Sequence, residues 1–223
     1  MNKPLKCKDL FSFEGGYFQN LFSEYEYPWQ ILPHIRSIIE VAIREGLEGY
    51  YPLSDNVLVG EGVRIDKSAS ICGPCIIGHR TEVRHGAYIR GAVIIGNDCV
   101  IGNSSEIKNS IIMDKAQVPH FNYVGDSILG HSAHLGAGAI CSNLRSDKQE
   151  VMIRESDRVI STGLKKLGAI IGDGVEVGCG AVLCPGTVIC RRSCVYPLTM
   201  TRGVYPEDSI IKGDGSVVAR RKQ

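Results

Sequence analysis

Aliphatic residues return at every sixth position from Val59 through Ile65, Ile71, Ile77, Val83, Ile89, Ile95, Ile101 and Ile107 to Met113. Two places before the next aliphatic stands a smaller residue in many turns, among them Ala69, Cys75, Thr81, Ala87, Cys99 and Ser105. Gly or Asp often follows the aliphatic, as at Gly60, Asp66, Gly78, Gly96 and Gly102. A six-residue period fits neither the 3.6 of a helix nor the two-residue alternation of a sheet. It predicts a mainly β chain wound as a hexapeptide-repeat β-helix. There each short strand points one large and one small residue inward, and flexible corners turn the chain onto the next face. Stacked coils then bury a continuous core that no single repeat buries alone.

Residues 1–55 lack this rhythm. Ile31, Leu32, Ile35, Ile38, Ile39, Ala42 and Ile43 recur at helical spacing, with Pro28 at a start and Gly46 at a stop. Pro33 places the regular helix after itself. The stripe predicts a packing helix that caps the open end of the solenoid, and Tyr50 to Asn56 read as a linker. Residues 56–223 then form the β-helix domain. Within it the register breaks at Pro119 and resumes in shifted phase at Leu129, Leu135 and Cys141. A loop at about 144–168 abandons the repeat, because Arg145, Asp147, Lys148, Glu150, Arg154, Asp157 and Arg158 cannot face an apolar prism. Repeats return at Ile171, Val177, Leu183, Ile189 and Val195, and a tail from Tyr205 ends in Arg220, Arg221 and Lys222, read as solvated.

Composition narrows the function classes. A formal net charge of +1 over 223 residues gives no electrostatic case for nucleic acid or an anionic membrane, so any anion site must be local. No stretch approaches the roughly 20 apolar residues of a membrane span, and Met1 to Leu10 lack a signal-like run, so a cytoplasmic protein is expected. The 9 Cys show no regular framework, which suits reduced thiols. Cys72-Gly73-Pro74-Cys75 has the spacing of a redox tetrapeptide, but the repeat puts Cys75 on a small inward position rather than at a helix start, so both are read as structural. No metal is expected.

Four segments carry a more specific likeness: Glu106-Ile-Lys-Asn-Ser110, His120-Phe-Asn-Tyr-Val-Gly-Asp126, Leu135-Gly-Ala-Gly138 followed by Asn143-Leu-Arg145, and Thr162-Gly-Leu-Lys-Lys-Leu-Gly-Ala-Ile-Ile-Gly-Asp173. In these, residues 57 to about 200 resemble the left-handed β-helix domain of the hexapeptide acyltransferases. They resemble in particular the acetyltransferase domain of the bifunctional sugar-1-phosphate nucleotidyltransferase/acetyltransferases, the archaeal type more closely than the bacterial. The resemblance implies a single-stranded left-handed β-helix, a homotrimer with active sites between subunits, and acetyl-CoA donating its acetyl group to the amine of a hexosamine 1-phosphate such as glucosamine 1-phosphate. It implies His120 as general base with Glu106 orienting it, Asn143, Lys108 and Tyr123 on the amino sugar phosphate, and Ala137 and Cys179 on coenzyme A. For the phosphate-binding arginine it leaves Arg90, one coil before Lys108, with Arg84 as the alternative.

The residue types suit the chemistry. An amine attacking a thioester must lose a proton, and an imidazole, whose unperturbed pKa is about 6.5, accepts one near neutral pH. The substrate amine is itself the nucleophile, so the protein supplies alignment. A phosphate monoester asks for fixed cations, and the guanidinium fork is suited to it. Departures stand beside the matches. His134 replaces an Asn of the bacterial enzymes, Gly168 replaces a loop Lys, and the archaeal loop lysines fall on Gln149 and Met152. Nothing in residues 1–55 resembles the nucleotide-binding domain of the bifunctional proteins, so the acetyltransferase half is expected alone. The alternative is a non-catalytic trimeric β-helix that binds a sugar nucleotide or regulates a separate nucleotidyltransferase; a third reading transfers the acyl group to another acceptor.

Overall fold

The computed structural model describes residues 5–13, 17–155 and 158–221; Asp157 and Lys222 lie outside the described residues. Three parallel sheets form the walls of a prism. Among the described residues face A holds nine strands, from Tyr50–Ser54 to Val204–Tyr205, face B nine, from Arg64–Ile65 to Val217–Ala219, and face C seven, from Ser70–Ile71 to Met200–Thr201. The chain visits A, B and C in turn, so neighbours on a face lie one coil apart: Ile76 pairs with Ile94, Glu82 with Val100 and Ser70 with Tyr88. Ile77, Val83, Ile89, Ile95, Ile101 and Ile107 all enter one buried cluster inside the prism. This is the parallel β-helix that the six-residue pattern predicts.

The phase shift occurs earlier than the sequence suggests, and in two steps. Stacked partners are 18 residues apart in the first coils, as Arg80 and Asp98 are, and 17 apart for Asn109 and Asp126. Each shortened coil loses its residue at the corner from C to A, where Asn109 stands between strands Glu106–Lys108 and Ser110–Ile112. Ile112, not Met113, therefore takes the inward position, and Met113 turns to the outer cluster. A corner of one residue requires a left-handed backbone, and Asn109 and Asp126 adopt φ of 46° and 48°. Asn and Asp tolerate that region better than most side chains.

Face A is buried on both sides, which explains the N-terminal segment. Leu58, Ile76, Ile94, Ile111, Ile128, Ile170 and Val188 point outward from it, and Leu10, Phe11, Phe22, Trp29, Ile31 and Ile35 cover them in a second buried cluster. A 3-10 turn Pro28–His34 runs into the helix Ile35–Glu45, which stops at Gly46 with φ of 81°. The helix thus lies along a wall of the prism rather than over its open end. Asp173 fastens the segment: its Oδ2 accepts from the backbone N–H and the hydroxyl of Ser12, both at 2.6 Å, while its Oδ1 accepts from His131 N–H at 2.8 Å.

Three other stretches differ from expectation. Tyr50–Ser54, read as a linker, is a strand that pairs antiparallel with Val57–Gly60. The tail continues the prism through Ser209–Ile211 and folds back as Val217–Ala219. The inserted loop, which separates stacked His134 and Glu176 by 42 residues, contains an antiparallel hairpin of Met152–Glu155 with Arg158–Ser161. Val151, Ile153 and Leu167 anchor it to the outer cluster on face A. Cys75 and Cys99 are buried and Cys72 is exposed at a corner, with no helix beginning there.

Candidate active site

The shortened corners gather a polar cluster. Lys108 ends a strand of face C and its Nζ donates to Asp126 Oδ2 at 3.0 Å; Asn109 Nδ2 donates to Asp126 Oδ1 at 2.8 Å, and Asn143 Nδ2 donates to the same oxygen as Lys108. Asp126 is 4% exposed, so these donors replace the water its carboxylate has lost. One coil back, Arg90 Nη1 donates to Glu106 Oε1 at 2.7 Å, its guanidinium 5.9 Å from the centre of the Tyr88 ring. Tyr123 lies in register above Glu106 and below Ile140. Burial raises its phenol above the usual value, and the carboxylates of Asp126 and Glu106 add to the rise against the hydrogen bond with Asn143 and the charge of Arg90. Gly125 makes the convergence possible: a Cβ there would stand 2.6 Å from the Tyr123 hydroxyl and 2.7 Å from Asn143 Nδ2.

His120 occupies the next corner, from B to C. Its backbone N–H donates to Asn122 Oδ1 at 3.0 Å, and its carbonyl accepts from Gly138 N–H at 3.0 Å. Asn122 is 3% exposed and also donates to the carbonyls of Gly136 and Ala139 at 2.8 and 3.2 Å, so it clips this corner to the coil above. Gly102 lets the corner sit close on the coil below, since a Cβ there would meet Pro119 O at 1.5 Å. The imidazole is exposed and has no hydrogen bond or ion pair among the described residues. The ladder continues upward: Ala137 O accepts from Gly180 N–H at 2.8 Å and Cys179 O from Leu198 N–H at 2.9 Å. His120, Ala137 and Cys179 therefore stack on one edge of the prism, and the latter two are also exposed.

The predicted residues thus fall into two groups. Arg90, Glu106, Lys108, Tyr123 and Asn143 share the cluster on face C and its corner with A; His120, Ala137 and Cys179 share the corner of B and C. Glu106 pairs with Arg90, and among the described residues no hydrogen bond joins it to His120. Arg84 instead reaches Glu82 on face B at 3.2 Å. His134 Nδ1 lies 2.8 Å from Glu176 Oε2 on face B. Sequence reasoning missed Asp126 as the hub, with Asn109 and Asn122. The signal for two of them is an Asn and an Asp standing where a one-residue corner demands a left-handed backbone.

Residues 71–205 match the family model described as the GMPPB C-terminal domain. The chain is 30% identical over 226 residues to the bifunctional protein GlmU of Methanococcus vannielii, covering 99% of this chain and 53% of that protein. It is 33% identical over 199 residues to the uncharacterized acetyltransferase YaiX of Escherichia coli, covering 80% of this chain and 84% of the relative. Among solved structures it is similar to the UDP-N-acetylglucosamine acyltransferase of Arabidopsis, with a TM-score of 0.48 and 12% identity over 75% of this chain and 65% of that one. The chain spans about half the length of the bifunctional relatives it matches. With a family model over more than half of its residues and a relative matched along most of both lengths, the chain belongs to the GMPPB C-terminal domain family, a hexapeptide-repeat β-helix of the acyltransferase type.

Proposed function

We propose that the protein is an acetyl-CoA-dependent N-acetyltransferase acting on a hexosamine 1-phosphate such as glucosamine 1-phosphate, with His120 as its general base. The observation that carries this is the edge on which an exposed imidazole stands at the foot of a ladder of small exposed residues, Ala137 and Cys179. Small side chains leave a shallow track for a long thin thioester, and the unpartnered ring is free to take a proton at its end. The amine attacks the thioester carbonyl, its proton passes to His120, and coenzyme A departs and is protonated to its thiol. Tyr123 and Asn143 present hydroxyl and amide groups to the sugar, while Arg90 and Lys108 face its phosphate, each held in place by a carboxylate. Glu106 in this reading aims Arg90, and Asn122 fixes the backbone that carries His120.

The two groups lie on different edges of one prism, and a homotrimer brings an edge of one subunit against its neighbour. Exposed apolar side chains support that assembly: Phe121 at 62%, Leu198 at 84% and Met200 at 71% line face C and its corner with B. No helix among the described residues is long and apolar enough to cross a membrane. The direct test is thiol release from acetyl-CoA with and without glucosamine 1-phosphate. Release that requires the amino sugar phosphate supports the reading. Absence of release with any amino sugar phosphate, although coenzyme A binds, favours the non-catalytic β-helix.

A further inference from the structure

The arginines of this chain are mostly spoken for. Arg80 forks onto Asp98, Arg90 reaches Glu106, and Arg192 holds both Glu207 and Asp208. In the polar cluster each cation already has one carboxylate partner, Arg90 with Glu106 and Lys108 with Asp126. Surplus positive charge lies farther along the same edge. A cleft of about 350 Å³ opens between the inserted loop and the later coils, where Arg145, Arg154 and Arg202 converge with Ser142, Ser146 and Gly203. Arg145 is neutralised by a two-pronged contact with Asp147. Arg154 and Arg202 are exposed and have no carboxylate partner among the described residues.

The two come from different parts of the fold. Arg154 is on the hairpin strand Met152–Glu155, and Arg202 follows the face C strand Met200–Thr201, where its backbone N–H donates to the Tyr205 hydroxyl at 3.2 Å. Gly186 and Gly203, with φ of 79° and 97°, leave the floor between them without side chains. A Cβ at Gly203 would stand 3.1 Å from the carbonyl of Arg154, so the bare floor also lets the hairpin sit down on the coil. Hydroxyls of Ser142 and Ser146 add donors with no partner among the described residues. In a chain whose formal net charge is +1, two uncompensated guanidinium groups across one cleft make a local anion site. Two forks set apart suit adjoining phosphates better than one carboxylate, because each presents parallel N–H donors to phosphate oxygens.

We propose that this cleft binds the diphosphate of a nucleotide substrate through Arg154 and Arg202. The inference rests on the acyl-transfer reading, which supplies two sources of that group: the nucleotide end of coenzyme A or a nucleotide-linked sugar acceptor. The cleft shares the edge that carries Asn143, so a diphosphate held there keeps its substrate beside the polar cluster. Calorimetric titration of the whole protein with coenzyme A, and separately with a uridine diphosphate sugar, tests it in wild type, Arg154→Ala, Arg202→Ala and the double variant. At least tenfold weaker binding of one ligand in the double variant is expected, and the ligand affected identifies the source. Arg202→Lys, which keeps the charge and loses the fork, is expected to fall between wild type and Arg202→Ala. A Kd unchanged within twofold for both ligands overturns the proposal, as does wild-type protein that binds neither. Binding of both ligands that ignores both arginines, together with thiol release that needs an amino sugar phosphate, removes the cleft and leaves the acetyl transfer standing.

Discussion

Asp126 organises its corner because a single residue has to turn the chain there. Its left-handed backbone aims both carboxylate oxygens at Lys108, Asn109 and Asn143, and no larger element is needed to bring these together. Sequence reading found Lys108, Tyr123 and Asn143 through their motifs but gave Asp126 no role, since an acid between strands reads as an ordinary turn residue. Cys179 lends itself to a measurement at this scale. It is exposed beside the ladder above His120, whereas Cys75, Cys99 and Cys141 are buried, and burial pushes the Cys141 thiol up to about 12. Alkylation of native protein is expected to modify Cys72 and Cys179 quickly and the buried three slowly, because the thiolate is the reacting form. Coenzyme A is expected to slow Cys179 while leaving Cys72 unchanged. Equal rates at Cys179 with and without saturating coenzyme A would place the thioester elsewhere.

At the scale of elements, the six-residue rhythm made the prism legible because every inward aliphatic must meet the same narrow core. Two features escaped it. The five-residue step at Asn109 was masked by Ile111, Ile112 and Met113, three apolar residues in a row that satisfy either phase. The outward row Ile76, Ile94, Ile128, Ile170 and Val188 repeats only once per coil, too slowly to stand out within a short window. That row would have shown that the N-terminal segment lies along face A. The hairpin was hidden by its charges, because Met152, Ile153 and Val159, Ile160 come in adjacent pairs beside Arg154, Glu155 and Arg158 and show no two-residue alternation. The outer row gives its own prediction: Ile94→Ala should cost about 2–5 kcal/mol in a denaturant unfolding experiment, as a fully buried Ile in a packed interface does. A loss below about 1 kcal/mol, the cost of trimming a partly solvated side chain, would mean that the N-terminal segment is only loosely attached.

For the whole molecule, the titrating groups set a pH window. The hydrogen bonds of Ser68 hold Asp66 below the usual carboxylate range, and Arg80 and Arg145 do the same for Asp98 and Asp147. Depressed carboxylates contribute stability that is complete above their unfolded values, near 4, and is lost as pH falls through the folded ones. Burial acts in the other direction at Tyr17 and Cys99, both pushed up to about 12. Their contribution is complete below the unfolded values, about 8.5 for a thiol and about 10 for a phenol, and is lost as pH rises toward about 12. Thermal melts should therefore be flat between about pH 5 and 8 and fall on both sides; a continued rise above about pH 9 would contradict the burial of these groups. The central claim is that an exposed imidazole on one edge of the prism takes the proton from a sugar amine. Since His120 has no side-chain partner among the described residues, His120→Ala should leave unfolding free energy within about 0.5 kcal/mol of wild type. The most direct measurement is kcat/KM for glucosamine 1-phosphate-dependent thiol release in that folded variant. The account predicts a fall of about a hundred- to ten-thousandfold, and turnover equal to wild type would contradict it.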